Sequence, residues 1–232
     1  MDRRQFVGIC AASAAALSTH SWHALAAGVQ EFPAVKLVDA QGVPLKAATL
    51  ATHQAYLFNY PFRAVPCFLI NLGKPSAKAQ LLSGESGSYE WPGGAGAQHN
   101  LVSYIAICTH QMSYPNKATS VIRYAGDGSE LAEKPGMIVC CAHGSVFDPA
   151  AGAVKVSGPA EQPLIPVRLE VDPLDDSISA TGVAANELIE RFFQAYKVDF
   201  IAEYGPGGYR QPVEASARTV LLDQFSKTVT NC

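Results

Sequence analysis

Charge is scarce in this chain of 232 residues: 16% are Asp, Glu, Lys or Arg, with 17 basic side chains against 20 acidic ones. No basic run and no basic amphipathic stretch occurs, and a formal charge of −3 offers no footprint for a polyanion, so no nucleic acid is expected as a partner. Internal repeats are absent, and low complexity is confined to an Ala-rich start. No nucleophile elbow, phosphate loop or dinucleotide fingerprint is present, which removes the commonest hydrolase, nucleotide-binding and nicotinamide chemistries. Long apolar runs are lacking as well. A spanning helix needs about 20 consecutive apolar residues, and the run that begins at Phe6 is broken by Ser18, Thr19, His20, Ser21 and His23. Membrane contact is therefore expected only through the N-terminus or a partner subunit. What remains is a globular composition, 48% hydrophobic, with room for one medium domain or one domain with an appendage.

The start differs in kind from the rest. Asp2-Arg3-Arg4-Gln5-Phe6 opens the chain, a mildly apolar stretch runs to Leu17, and Ala24-Leu25-Ala26 offers small residues for cleavage. Charged, apolar and small-residue regions in that order are the grammar of a secretory signal. The paired arginines resemble a twin-arginine signal, which implies export of a protein already folded around its cofactor and a periplasmic, or membrane-associated, location. Residues 1–26 are expected to be this signal. Cys10 lies within it and would leave with it. Cys67, Cys108, Cys140, Cys141 and Cys232 remain, an odd number in an oxidising compartment, so metal ligation accounts for them better than a disulfide framework does.

From Val35 onward, short β-prone runs are separated by Gly, Pro and Asp. Tyr56–Asn59, Cys67–Leu72, Leu101–Ile107, Ser120–Tyr124, Met137–Cys140, Val154–Val156, Ile165–Val171 and Ile178–Gly182 read as strands, and Gly84–Gly96 as a Gly- and Ser-rich loop. Many short strands with frequent turns predict an all-β sandwich or barrel. After Gly182 the period changes. Leu188, Ile189, Phe192, Phe193 and Tyr196 recur at helical spacing, with Asn186 as N-cap. Gly205-Pro206-Gly207-Gly208 interrupts, and Ala215–Val229 reads as helix or strand. The expected division is 1–26 signal, 27–182 β domain and 183–232 C-terminal extension with at least one helix. Wrapping of this extension on the chain's own core is favoured over docking on a partner.

Two segments carry chemistry: Cys108-Thr109-His110 and Cys140-Cys141-Ala142-His143-Gly144-Ser145. Each offers one soft thiolate and one imidazole, a donor set suited to zinc or to an iron–sulfur cluster. Zinc fingers place both cysteines on one knuckle and both histidines on a helix. One Cys and one His per loop fits instead a two-iron cluster with both cysteines on one iron and both histidines on the other. His53 and His99 stand alone and read as ordinary surface or core residues.

C-T-H followed by C-x-x-H-G-S resembles the two boxes of the Rieske family, over roughly residues 103–171. The resemblance implies a [2Fe–2S] cluster on Cys108, His110, Cys140 and His143. It also implies that Gly158-Pro159-Ala160 is the proline-containing loop that covers the cluster. Respiratory members often join the two loops through an extra cysteine in each box, but Ser113 and Ala142 stand at those positions here. Cys141 is then a bystander or the partner of another cysteine, and pairings among Cys67, Cys141 and Cys232 stay open. The resemblance also implies that Ser145, after Gly144, donates a hydrogen bond to a bridging sulfide. Phe147 replaces a tyrosine that would donate to a ligand sulfur. Donors to cluster sulfur raise the potential. A value below the top of the Rieske range of roughly −150 to +300 mV is therefore expected.

The implied role is one-electron transfer as a subunit of an exported oxidoreductase complex, without independent catalysis. Phe58-Asn59-Tyr60-Pro61, Pro66-Cys67 and Leu72-Gly73 are similar to a segment of arsenite oxidase small subunits. Gly144-Ser145 and the Gly158-Pro159-Ala160 loop resemble iron–sulfur subunits of quinol-oxidising cytochrome bc complexes. The implied partners are a molybdenum subunit or a cytochrome b, with a cytochrome c or a quinol. A zinc-stabilised binding module is the alternative from another class.

Overall fold

A computed structural model of the chain describes residues 30–84, 87–184 and 187–232. The expected signal and the Asn186 cap lie outside those residues. In chain order the strands are β1 (Gln30–Val38), β2 (Ala55–Asn59), β3 (Pro66–Asn71), β4 (Lys78–Gly84) and β5 (Gly87–Gly93). They continue with β6 (Leu101–Ile105), β7 (Thr119–Ser120), β8 (Ile122–Ala125), β9 (Met137–Cys140) and β10 (Ser145–Asp148). β11 (Val154–Ser157), β12 (Val167–Val171) and β13 (Ile178–Val183) complete the β region. Helices α1 (Glu187–Ala195) and α2 (Lys197–Tyr204) follow, then β14 (Ser216–Arg218), β15 (Val220–Leu221), the single turn α3 (Leu222–Phe225) and β16 (Thr228–Val229).

The strands form three open four-stranded sheets, ordered β12-β13-β1-β14, β11-β10-β9-β8 and β15-β2-β3-β6, with two smaller ribbons, β16-β7 and β4-β5. The mostly-β architecture with a helical C-terminal part is the expected one, and its sheets are not closed into a barrel. In the third sheet, β3 (Pro66-Cys67-Phe68-Leu69-Ile70-Asn71) is buried along its whole length between β2 and β6, covered on both faces. One large core gathers side chains from all the sheet layers and from both helices, and a small second cluster of Ala125, Met137, Val139 and Val146 lies on the β8–β9–β10 sheet.

The stretch Gly84–Gly96 departs from its reading as a loop. Gly87–Gly93 pairs antiparallel with Lys78–Gly84 from Lys78 opposite Gly93 to Gly84 opposite Gly87. Trp91 fastens this ribbon. It is buried against Gly152, where an added Cβ would meet the indole at 3.1 Å and Leu82 at 2.5 Å. One well-packed indole outweighs the low strand preference of the glycines around it.

The C-terminal residues interlock with the β region. β14 extends the first sheet beside β1, β15 joins β2, and β16 pairs in parallel with β7, so the tail closes edges that would otherwise expose unpaired amides. Leu188, Ile189, Phe192 and Phe193 of α1 and Phe200 of α2 are buried. Tyr114, six residues beyond Cys108, packs on this aromatic cluster, with ring centroids 4.8 Å from Phe192 and 4.8 Å from Tyr196. Among the described residues no helix is long and apolar enough to cross a membrane.

Candidate metal centre

Cys108 lies three residues beyond β6, whose five residues are all buried, and Cys140 is the last residue of β9. Both cysteines are buried, one just past a strand and one at a strand's end, and the turns that follow are built alike. In the first, the Met112 N–H donates to the Cys108 carbonyl (2.8 Å) and the Cys108 N–H to the Ser113 carbonyl (2.9 Å). In the second, the Gly144 N–H donates to the Cys140 carbonyl (2.9 Å), and Cys140 pairs with Ser145 across β9 and β10. The fourth residue after each cysteine has left-handed backbone, Met112 at φ 57° and Gly144 at φ 78°. Such a φ is free for Gly and strained for Met, so the first turn is held by its hydrogen bonds and packing. A serine closes each turn five residues after its cysteine.

The two turns converge. The thiols of Cys108 and Cys140, both buried and unoxidised, share a hydrogen bond. That bond, then burial and the neighbouring sulfur's charge, raise the Cys108 pKa. The same bond lowers the Cys140 pKa against the effect of burial. Amides of Ala142 and His143 and the Ser113 hydroxyl add donors to Cys140, and amides of His110 and Gln111 do the same for Cys108. Donors ranged around two buried sulfurs are what thiolates need in order to stay charged out of water.

The imidazoles of His110 and His143 lie edge to face with ring centroids 4.9 Å apart. His110 is half-buried and His143 exposed. His110 Nδ1 is buried without a hydrogen-bond partner. A buried ring nitrogen with no partner is costly unless something binds it. The donor set fits a metal group on three counts: paired thiols with N–H and O–H donors, paired imidazoles, and one orphaned ring nitrogen. Among the described residues no group of three or more His, Cys, Asp or Glu is gathered around a single ion. The donors come as two pairs.

The segment around Pro159 ties both turns together. The Ala160 N–H donates to Ser145 Oγ (3.1 Å), and the Thr109 hydroxyl donates to the Gln162 carbonyl (2.7 Å). Ser145 is fully buried, and because its oxygen accepts from Ala160, its own proton is left to donate elsewhere. Gly158, at φ 85°, sits so close to the second turn that a Cβ would lie 2.4 Å from the Gly144 oxygen and 2.5 Å from Ser145 Cα. Pro159 is exposed, whereas Phe147 is fully buried in β10, opposite Ile138.

Sequence reasoning noted Ser113 only as a missing cysteine, and its hydroxyl turns out to serve Cys140. Its one visible signal was a position five residues after Cys108, matching that of Ser145 after Cys140. Cys141 bonds Cys232, with an S–S distance of 2.04 Å, and Cys67 is a buried free thiol that donates to the Tyr60 carbonyl (3.1 Å). His53 and His99 stay apart from the site and contact the Gly126 and Gly94 carbonyls instead.

No protein-family model matches the chain. Among solved structures, the chain is similar to the soluble domain of the Rieske protein II (soxF) from Sulfolobus acidocaldarius. The two share 26% sequence identity over 66% of this chain and 79% of that one, with a TM-score of 0.47.

Proposed function

We propose that the chain holds a [2Fe–2S] cluster of the Rieske type, with Cys108 and Cys140 on one iron and His110 and His143 on the other, and carries one electron at a time. The observation that supports this is the sorting of four side chains from two distant turns into a thiol pair and an imidazole pair. Such a cluster, when bound, supplies reversible one-electron reduction, at a potential raised by replacing two thiolates with neutral imidazoles.

The chain's own residues do the rest. Amides of His110, Gln111, Ala142 and His143 and the Ser113 hydroxyl offset negative charge at the two sulfurs. Ser145, oriented by the Ala160 amide, presents its hydroxyl proton. The Gly158–Gln162 segment, anchored to both turns, shields the site on one side. The exposed His143 ring is the route by which a partner comes close enough for electron transfer.

We place the protein in the periplasm, as the small subunit of an oxidoreductase complex of the molybdenum type, with a cytochrome c or a quinol at the other end of the transfer. The stretch from Phe58 to Gly73, which forms most of the β2–β3 hairpin, supports that parent. Gly144-Ser145 and the Gly158 loop favour a second reading, the iron–sulfur subunit of a quinol-oxidising cytochrome bc complex.

Electron paramagnetic resonance of the dithionite-reduced protein tests the cluster. A Rieske-type signal is expected, whereas zinc in the protein with no signal would make it a zinc-stabilised module. Native copurification then separates the parents, by a molybdenum subunit or by a cytochrome b.

A further inference from the structure

Cys141 stands between the donor Cys140 and the Ala142 and His143 amides that serve its sulfur. Its own sulfur joins Cys232, 91 residues further along the chain, with the two Cα atoms 5.7 Å apart. The tail reaches that point along a continuous track. The Ser226 hydroxyl donates to the Asn116 carbonyl (2.7 Å), the Lys227 N–H to Lys117 (3.0 Å), the Thr228 N–H to Ala118 (3.2 Å) and the Thr230 N–H to Ser120 (2.9 Å). At the end, the Glu130 N–H (3.1 Å) and the Ser129 hydroxyl both donate to the Cys232 carbonyl. Every one of these partners lies in the connection between the two donor turns. The Cys141 N–H in turn donates to Val121 (2.7 Å), and Cys141 and Cys232 pack together on Ala125, Met137, Val139 and Val146.

The second turn needs such support. Ala142 and His143 are exposed and contribute little packing, and Gly144 is the residue type with most freedom to lose. Without a fixed Cys141, the amides that face the Cys140 sulfur would be free to turn away. A thiol beside a metal ligand is also a rival for the metal, whereas a sulfur held in a disulfide has no thiolate to offer.

We propose that the Cys141–Cys232 disulfide is a positioning clamp: it locks the C-terminal tail onto the connection between the turns, holds the Cys140–His143 turn in its donor geometry, and removes Cys141 from competition with Cys140. The clamp rests on the reading of Cys140 and His143 as cluster ligands. Two variants of the full chain test it, Cys232→Ser, which frees the Cys141 thiol, and Cys141→Ser/Cys232→Ser, which removes it.

Hydrogen exchange read by mass spectrometry on peptides covering 116–121 and 140–145 is expected to quicken in both variants, at least tenfold more than in β3 peptides, which report the loss of global stability. The reduced resonance spectrum of Cys232→Ser is expected to split into two species, and the double variant to return to one. Exchange at 140–145 that keeps its native rate in Cys232→Ser overturns the clamp. A single native spectrum in that variant overturns the competition. Should the native chain prove free of iron, the cluster reading fails on its own, and the exchange rates still decide whether the tail holds the turn.

Discussion

Two serines mark the same station on the two donor turns and do different work there. The Ser113 hydroxyl faces the Cys140 sulfur, while Ser145 Oγ accepts from the Ala160 amide. Removing the first subtracts a donor to a charged sulfur and leaves no buried group stranded. Ser113→Ala is therefore expected to lower the midpoint potential, by about 60 mV for each 1.4 kcal/mol of preference lost for the reduced state. Phe147→Tyr adds a donor and is expected to raise the potential. Protein-film voltammetry reads both, and a shift of either variant in the other direction contradicts this account of tuning. Ser145→Ala instead leaves the buried Ala160 N–H without its partner. A loss of about 1–3 kcal/mol of stability is expected in urea unfolding.

The residues that carry these effects were unequally visible in the sequence. The four proposed ligands stood out because their spacing is local, C-x-H and C-x-x-H, and two short turns can bring such pairs together whatever the rest of the fold does. Ser113 was visible only as a position. Its bond to Cys140 joins residues on two separate turns, a proximity that no local pattern encodes.

At the scale of elements, the Gly158–Gln162 segment is fixed by backbone approach and not by the proline for which it is noticed. Gly158 has both a left-handed φ and no space for a Cβ, while Pro159 is exposed. Gly158→Ala is expected to push the segment off the Gly144–Ser145 turn, breaking the Ala160–Ser145 and Thr109–Gln162 bonds at a cost of about 2 kcal/mol or more. Pro159→Ala is expected to stay within about 0.5 kcal/mol of the native protein. Thermal melts of the two variants, side by side, check the contrast. The strands that sequence reading found are short β-prone runs bounded by turn residues, such as β3, β6 and β13. The β4–β5 ribbon was hidden by glycine and serine, and only the burial of Trp91 on Gly152 reveals why it forms. β14, β15 and β16 are two or three residues long and exist because each borrows the edge of an older strand.

Across the whole molecule, the C-terminal residues are tied in three times: by strands added to β1, β2 and β7, by the aromatic cluster of α1 and α2, and by Cys232. Phe200 sits at the centre of the aromatic cluster, with ring neighbours Phe192, Phe193, Tyr196, Tyr204, Tyr209 and Tyr114. Truncating it to Ala is expected to cost about 3–5 kcal/mol in denaturant unfolding. Removing the covalent tie by Cys232→Ser is expected to cost about 2–4 kcal/mol, because a closed loop of that length restrains the unfolded chain strongly. Helical spacing made α1 legible in advance. The pairing of Cys141 with Cys232 was not, because their meeting depends on the path of the tail across the β sheets.

The proposed redox role and its tuning rest on one claim, that the thiols serve one iron and the imidazoles another. Mössbauer spectroscopy of the iron-57-labelled protein, oxidised and then reduced by one electron, reads the two sites separately. Two inequivalent irons in equal amounts are expected, with the added electron residing on the iron held by nitrogen. Two equivalent irons, a single mononuclear site or no iron at all would contradict the account.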